Sequence, residues 1–121
     1  MPSLITLPSF TDERGSLTVI EKIIPFDIKR VYFIYNSEGH KRGFHKHKIT
    51  RQALIASSGS CSVYVKESKK TIEFKLDEPS KCLILEPEDF HWMDKFTKES
   101  VLLVIASEYY NEKDYVEDDL R

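Results

Sequence analysis

Between positions 71 and 76 the chain alternates: Ile72, Phe74 and Leu76 fall on one face of an extended strand, and Thr71, Glu73 and Lys75 on the other. The same period of two places Cys61, Val63 and Val65 on one side of a preceding strand. Ser68-Lys69-Lys70 between the two runs fits a short hairpin connection. Val101-Leu102-Leu103-Val104-Ile105 does not alternate, which predicts a strand covered on both faces. The strands expected from these patterns are 17–21, 30–36, 52–56, 61–67, 71–76, 82–86 and 101–107. From Tyr109 onward the acidic, weakly periodic stretch 111–119 predicts a short helical or irregular tail packed through Tyr115 and Val116. Many short strands without amphipathic helices between them predict an all-β sandwich or jelly roll with little helix.

At 121 residues the chain suits one domain, 1–121, with no room for a separate cofactor domain. Its 18 Lys plus Arg against 20 Asp plus Glu leave a net charge of −2, so no basic field favours a nucleic-acid partner. Cys61 and Cys82 lack CxxC spacing, and nothing at the start reads as a secretory signal. The longest apolar run, Val101 to Ala106, is far short of the ~20 residues of a membrane span. These features predict a cytoplasmic protein with reduced thiols and no membrane partner.

Candidate chemistry is concentrated in Arg42-Gly43-Phe44-His45-Lys46-His47-Lys48. His45 and His47 are two apart and project from one face of an extended segment, so two imidazoles share a pocket. With ordinary pKa values of ~6.5, such a pair can move a proton between neighbouring substrate atoms. Gln52 follows at the place where an amide can orient a histidine or a substrate. Gly59-Ser60 predicts a turn into the next strand, and Pro87-Glu88-Asp89-Phe90-His91 supplies a third histidine for the pocket or for closing the barrel. His40, in the polar loop 37–41, is expected to be exposed. No GxGxxG is present, which fits chemistry that needs no redox cofactor.

The His-x-His pair, Gln52, Gly59 and the later Pro87 with His91 resemble the two cupin motifs, with Gln52 standing where metal-binding cupins carry Glu. More narrowly, the chain resembles the WxcM-like sugar-nucleotide 3,4-ketoisomerase family over nearly its whole length. The resemblance runs through Asp12-Glu13-Arg14-Gly15-Ser16-Leu17, Ile28-Lys29-Arg30-Val31-Tyr32, the His pair, Gln52-Ala53-Leu54, the strand at 101–107 and Asp114-Tyr115. Its departures are Lys46 for the usual Ala, Asp89-Phe90 before the histidine, and the acidic ending at 117–119.

The resemblance implies a double-stranded β-helix, or cupin jelly roll, and a dTDP-linked 4-keto-6-deoxy sugar as substrate. It implies a cofactor-free isomerisation through an enediol, with no metal and a homodimeric assembly. By this reading His47 is the base at the sugar and His45 its partner, an order that could be reversed. Arg42, Lys48 and Arg14 are candidates for the pyrophosphate, Tyr35 for a substrate oxygen, and Gln52 and His91 for the pocket. The competing readings are a deoxysugar 3,5-epimerase, a metal-dependent cupin using His45, His47 and His91, and a non-catalytic nucleotide-sugar-binding cupin.

Overall fold

The structure, a computed structural model, describes residues 1–117; positions 118 and 119 of the expected acidic tail lie outside them. Twelve strands follow one another: β1 Ser3–Thr6, β2 Ser9–Asp12, β3 Gly15–Thr18, β4 Arg30–Tyr35, β5 Arg42–His47, β6 Gln52–Ser58, β7 Cys61–Glu67, β8 Lys70–Leu76, β9 Lys81–Leu85, β10 His91–Asp94, β11 Val101–Ala106 and β12 Tyr115–Val116. The helical content of the described residues is one 3-10 turn, Glu112–Asp114. Two antiparallel five-stranded sheets, in orders β1-β9-β6-β11-β4 and β12-β5-β10-β7-β8, face each other as the expected jelly roll.

The side-chain pattern explains the layering. Leu54 and Ala56 of β6, Leu102 and Val104 of β11, Val63 and Val65 of β7 and Leu76 of β8 all enter the space between the sheets and form the main core. The opposite faces of β6, β9 and β11 place Ala53, Ile55, Cys82, Ile84 and Ile105 in a second cluster, covered by Leu7, Ile23, Ile24 and Phe26 of the N-terminal region. β11 is therefore apolar on both faces because it is covered on both. Both cysteines are buried, and burial raises their thiols, Cys61 to about 12 and Cys82 to about 11, so neither is a reactive thiolate.

The hairpin between β7 and β8 closes on Ser68 and Lys69, with Ser68 at φ +57 supplying the left-handed residue of a two-residue loop. The expected strand at 17–21 is instead the second arm of a β2–β3 hairpin. It runs Gly15–Thr18, and the turn before it is held by the Asp12 carboxylate, which accepts from the Arg14 N–H at 2.8 Å. β1, β2, β10 and β12 are not expected from the pattern, since each has at most four residues, too few for period-two patterning to emerge, and β5 is expected only as an extended segment at the His pair because a bulge breaks its alternation. The tail is neither simply helical nor irregular. One 3-10 turn feeds β12, which pairs Tyr115 with His47 and Val116 with Lys46 at the edge of the second sheet.

Candidate active site

The inner face of the second sheet gathers the imidazoles. His45 and His47 come from β5, and His91 enters from β10, where it is paired directly with His45. Ring centroids lie 5.1 Å apart for His45 and His47, 5.0 Å for His45 and His91, and 6.4 Å for His47 and His91. Tyr115 from β12 packs against both members of the pair, 4.9 Å from His45 and 4.6 Å from His47. The inner face of the first sheet supplies the other wall, with Arg30 and Tyr32 from β4 and Gln52 from β6. The resulting cleft of about 300 Å³ is lined by these groups together with Arg42, His45, His91 and Tyr115.

A β-bulge selects which residues of β5 reach it. Strict alternation would place Gly43, His45 and His47 on one side and Arg42 on the other. However, His91 is opposite His45, Trp92 opposite Gly43 and Met93 opposite Arg42, so Phe44 is an extra residue in the strand. Gly43 and Phe44 both have positive φ, +99 and +61. The extra residue turns Phe44 outward, where its ring stacks on Trp92 at 5.5 Å, and brings Arg42 to the same cleft as His45. Gly43 is required here. A Cβ would meet the Trp92 Cα at 3.1 Å and the His91 carbonyl oxygen at 3.2 Å, in a backbone conformation that side chains resist.

The three histidines differ in environment. His91 is buried and donates its Nδ1–H to the Asp89 carbonyl at 3.0 Å; burial pushes its pKa down to about 3, so it is a neutral ring. The loop that sets it is itself tied, with the Glu86 N–H donating to the Asp89 carboxylate at 2.8 Å. His47 lies behind the cleft lining, its side chain only 3 % exposed, with Nδ1 2.8 Å from Asp114 Oδ2. Burial lowers its pKa and the Asp114 carboxylate opposes the shift. His45 is half-buried and lines the cleft itself; burial first, then the neighbouring His47, lower its pKa, so it stands neutral and able to accept a proton. Opposite, the Gln52 amide donates to the Tyr32 hydroxyl at 3.3 Å, which leaves the phenol proton free to point at a ligand. Burial and then Tyr115 raise the Tyr32 pKa, so it acts as a neutral donor.

Of the residues expected from sequence, His45, His91, Gln52 and Arg42 meet in the cleft and His47 stands directly behind it. Three do not line it. Tyr35 is on the outer face of β4, 62 % exposed, and Tyr32 is the tyrosine that faces inward. Lys48 is exposed just beyond β5, and its backbone N–H is bound to Asp114. Arg14 sits at the tip of the β2–β3 hairpin, paired with Asp12 at 2.6 Å. Gln52 orients Tyr32 rather than a histidine. His40 is exposed, as expected.

Sequence reasoning gives no place in the site to Arg30, Tyr32 or Asp114, and gives Tyr115 only a packing role in the tail, although Arg30-Val31-Tyr32 and Asp114-Tyr115 stand within the stretches that carry the family resemblance. Arg30 and Arg42 are also the notable charges here: among the described residues, neither has a carboxylate within 4 Å. Two guanidinium groups on one cleft without anionic partners make a site for a doubly charged anion. Among the described residues, no three His, Cys, Asp or Glu side chains are disposed to hold a metal ion.

Comparison with known proteins agrees with this geometry. Residues 1–120 match the family described as FdtA: WxcM-like, C-terminal. A protein of Aneurinibacillus thermoaerophilus named TDP-4-oxo-6-deoxy-alpha-D-glucose-3,4-oxoisomerase is 42 % identical over 116 residues, covering 93 % of this chain and 84 % of the relative. The QdtA 3,4-ketoisomerase of Thermoanaerobacterium thermosaccharolyticum, solved as a double mutant in complex with TDP, superimposes with a TM-score of 0.93. It is 44 % identical, over 97 % of this chain and 87 % of that one. A single mutant of the same enzyme in complex with TDP-4-keto-6-deoxyglucose superimposes with a TM-score of 0.90 at 41 % identity, again over 97 % and 87 % of the two chains.

Proposed function

The chain belongs to the WxcM-like, C-terminal family and is an isomerase of the 3,4-ketoisomerase kind; from that premise we propose that it converts TDP-4-keto-6-deoxyglucose to a TDP-3-keto-6-deoxyhexose through proton transfer by His45. The observation that carries this reading is a neutral imidazole, His45, lining a cleft that also holds two arginines with no carboxylate partner among the described residues. The arginines suit the diphosphate, and the imidazole suits the sugar.

The chemistry follows from the groups present. A ketone at C4 acidifies the hydrogen on C3. His45 takes that proton, and the electron pair left behind forms a C3=C4 double bond with the negative charge on the C4 oxygen. The Tyr32 hydroxyl, oriented by Gln52, donates to that oxygen. The enediolate then gains a proton on the C4 oxygen and loses the one on the C3 oxygen. Collapse to a C3 ketone takes a proton onto C4 from the imidazolium, which exchanges with solvent in the meantime, so the protons balance and no electron acceptor is needed. His91, neutral and fixed on the Asp89 carbonyl, packs against His45 and holds its ring in place. His47 supports His45 from behind the cleft, the reverse of the order expected from sequence, because His45 is the imidazole that lines the space a sugar would enter.

The test is to incubate chelator-treated protein with TDP-4-keto-6-deoxyglucose in deuterated buffer and follow the sugar carbons by NMR. The expected result is a ketone that moves from C4 to C3, with solvent deuterium appearing on C4. Deuterium at C3 and C5 with the ketone unmoved would instead identify a 3,5-epimerase. Turnover that returns only on adding a divalent metal would support a metal-dependent cupin, and unchanged substrate that still binds would mean a non-catalytic protein.

A homodimer is part of the same reading. Val31, Phe33 and Tyr35 on β4, and Phe10 and Leu17 on the β2–β3 hairpin, are large apolar groups exposed on the single chain. A second copy that covers them would bury the hairpin, and Arg14 at its tip remains a substrate-binding candidate on that condition. Sedimentation at twice the chain mass is the expected result, and a monomer at micromolar concentration would remove both proposals. Among the described residues no helix is long and apolar enough to cross a membrane. A soluble nucleotide-sugar substrate is the ground for placing the enzyme in the cytoplasm; fractionation with the membranes would refute that placement.

A further inference from the structure

The carboxylate of Asp114 is buried, and four donors converge on it. Oδ1 accepts from the backbone N–H of Lys48 at 3.1 Å and of Ile49 at 2.8 Å, and Oδ2 accepts from the Thr50 hydroxyl and from Nδ1 of His47 at 2.8 Å. The residue arrives from the far end of the chain, on a 3-10 turn whose N-terminus is capped by the Asn111 side chain. We propose, on the basis of the ketoisomerase reading, that Asp114 is a positioning residue: it fixes His47 as the Nδ1–H tautomer, with the bare Nε2 lone pair inside the imidazole cluster behind His45.

The tautomer follows from hydrogen-bond roles. An ionised carboxylate only accepts, so every group around it must donate, and His47 can do so only with a proton on Nδ1. Burial alone would raise the Asp114 carboxyl, but the hydrogen bonds from Thr50, Ile49 and His47 hold it below the ordinary carboxylate range, so the ionised form is the one present. Nε2 of His47 is then a lone pair, and it is buried with no hydrogen-bond partner among the described residues. An orphaned acceptor in a protein interior calls for a reason. Turnover supplies one: when His45 has taken the C3 proton it is an imidazolium, and a neutral neighbour with its lone pair inside the cluster can share or receive that proton. A proton, exchanged with solvent in the meantime, then passes through His45 to C4, and Asp114 balances the charge while His47 holds it. Asp114 touches no reacting atom in this scheme and acts through His47.

Nitrogen-15 NMR of histidine-labelled protein reads the tautomer without any substrate. The wild type is expected to show His47 protonated on Nδ1 and bare on Nε2. In Asp114→Asn the side-chain amide can donate to Nδ1, which drives the ring toward the Nε2–H form. The variant is then expected to lose about 10²-fold in kcat while KM changes by less than about threefold, as expected for a group that orients a catalytic imidazole. Thr50→Val, which removes one donor and keeps the side-chain shape, is expected to lose about tenfold in kcat and serves if Asp114→Asn fails to fold. An Nε2–H tautomer in the wild type would overturn the proposal. So would a folded Asp114→Asn, or a Thr50→Val, with wild-type kcat. Absence of turnover by the wild type would defeat the isomerase reading instead, and the tautomer would still report on Asp114 alone.

Discussion

His45→Asn is expected to lower kcat on TDP-4-keto-6-deoxyglucose by about 10³-fold while leaving TDP affinity within about twofold, the middle of the range for loss of a positioned acid/base group. The reasoning is geometric. His45 is the member of the His-x-His pair that lines the cleft, whereas the His47 side chain is almost wholly buried and engaged by Asp114. Asparagine fills much of the same space and retains hydrogen-bonding capacity, so the pocket should stay formed and nucleotide binding should survive. The variant loses only the ability to hold a proton between C3 and C4. Steady-state kinetics with calorimetric titration of TDP measure the two effects separately. A His45→Asn enzyme within tenfold of the wild-type rate would move the base elsewhere, and His47→Asn in parallel would show whether it is the other imidazole. Loss of TDP binding together with turnover would mean that the substitution had disturbed the pocket.

What the sequence made legible was local. The period of two placed His45 and His47 on one face, the non-alternating run at 101–105 marked a strand covered on both sides, and Gly59 marked the turn that its φ of +62 confirms. Strand β4 shows where such reasoning stops. Arg30-Val31-Tyr32-Phe33-Ile34-Tyr35 carries large apolar or aromatic groups on both faces, so nothing in the pattern says which face is inward. The structure turns Arg30, Tyr32 and Ile34 in and leaves Tyr35 outside. A shift of one residue exchanges the faces of a strand, which is why Tyr32 and not Tyr35 belongs to the cleft.

Two other features were hidden for different reasons. The bulge at Phe44 reverses the alternation of β5 over a single residue, and a plain period-two reading would put Arg42 on the wrong side. The chemistry and neighbourhood of Arg42 point to the cleft, and the bulge supplies the means. Asp114 lies in an acidic stretch with Glu112, Glu117 and others, where solvation is the default expectation for each carboxylate. Its tertiary contacts, to His47 across 67 residues and to Lys48, Ile49 and Thr50, single it out within that stretch. The residues missed are thus those delivered by segments distant in the chain, because periodicity along one segment carries no information about which segment will lie opposite.

Arg42→Gln should raise KM for the nucleotide sugar by about 10- to 100-fold with a smaller change in kcat. A charged hydrogen bond to a diphosphate contributes about 1.5–3 kcal/mol, and each 1.4 kcal/mol is about tenfold in affinity. Arg42 is the cleaner probe of the two arginines, because Arg30 also packs over the rings of Tyr32 at 4.3 Å and Tyr110 at 5.1 Å and donates weakly to the Tyr115 hydroxyl at 3.5 Å. Replacing Arg30 therefore disturbs the cleft wall as well as its charge, and kcat should fall along with affinity. Both arginines would act on one anion, so the double variant should lose less than the sum of the single effects. Lys48→Gln is the control: its side chain does not line the cleft, and its KM should stay within about twofold of wild type, as for an exposed surface charge. Arg42→Lys keeps the charge but not the two-pronged geometry and should fall between wild type and Arg42→Gln. If Arg42→Gln binds TDP as tightly as wild type while Lys48→Gln weakens it, the diphosphate lies on the outer side of β5 and the sugar must enter the histidine cluster from there.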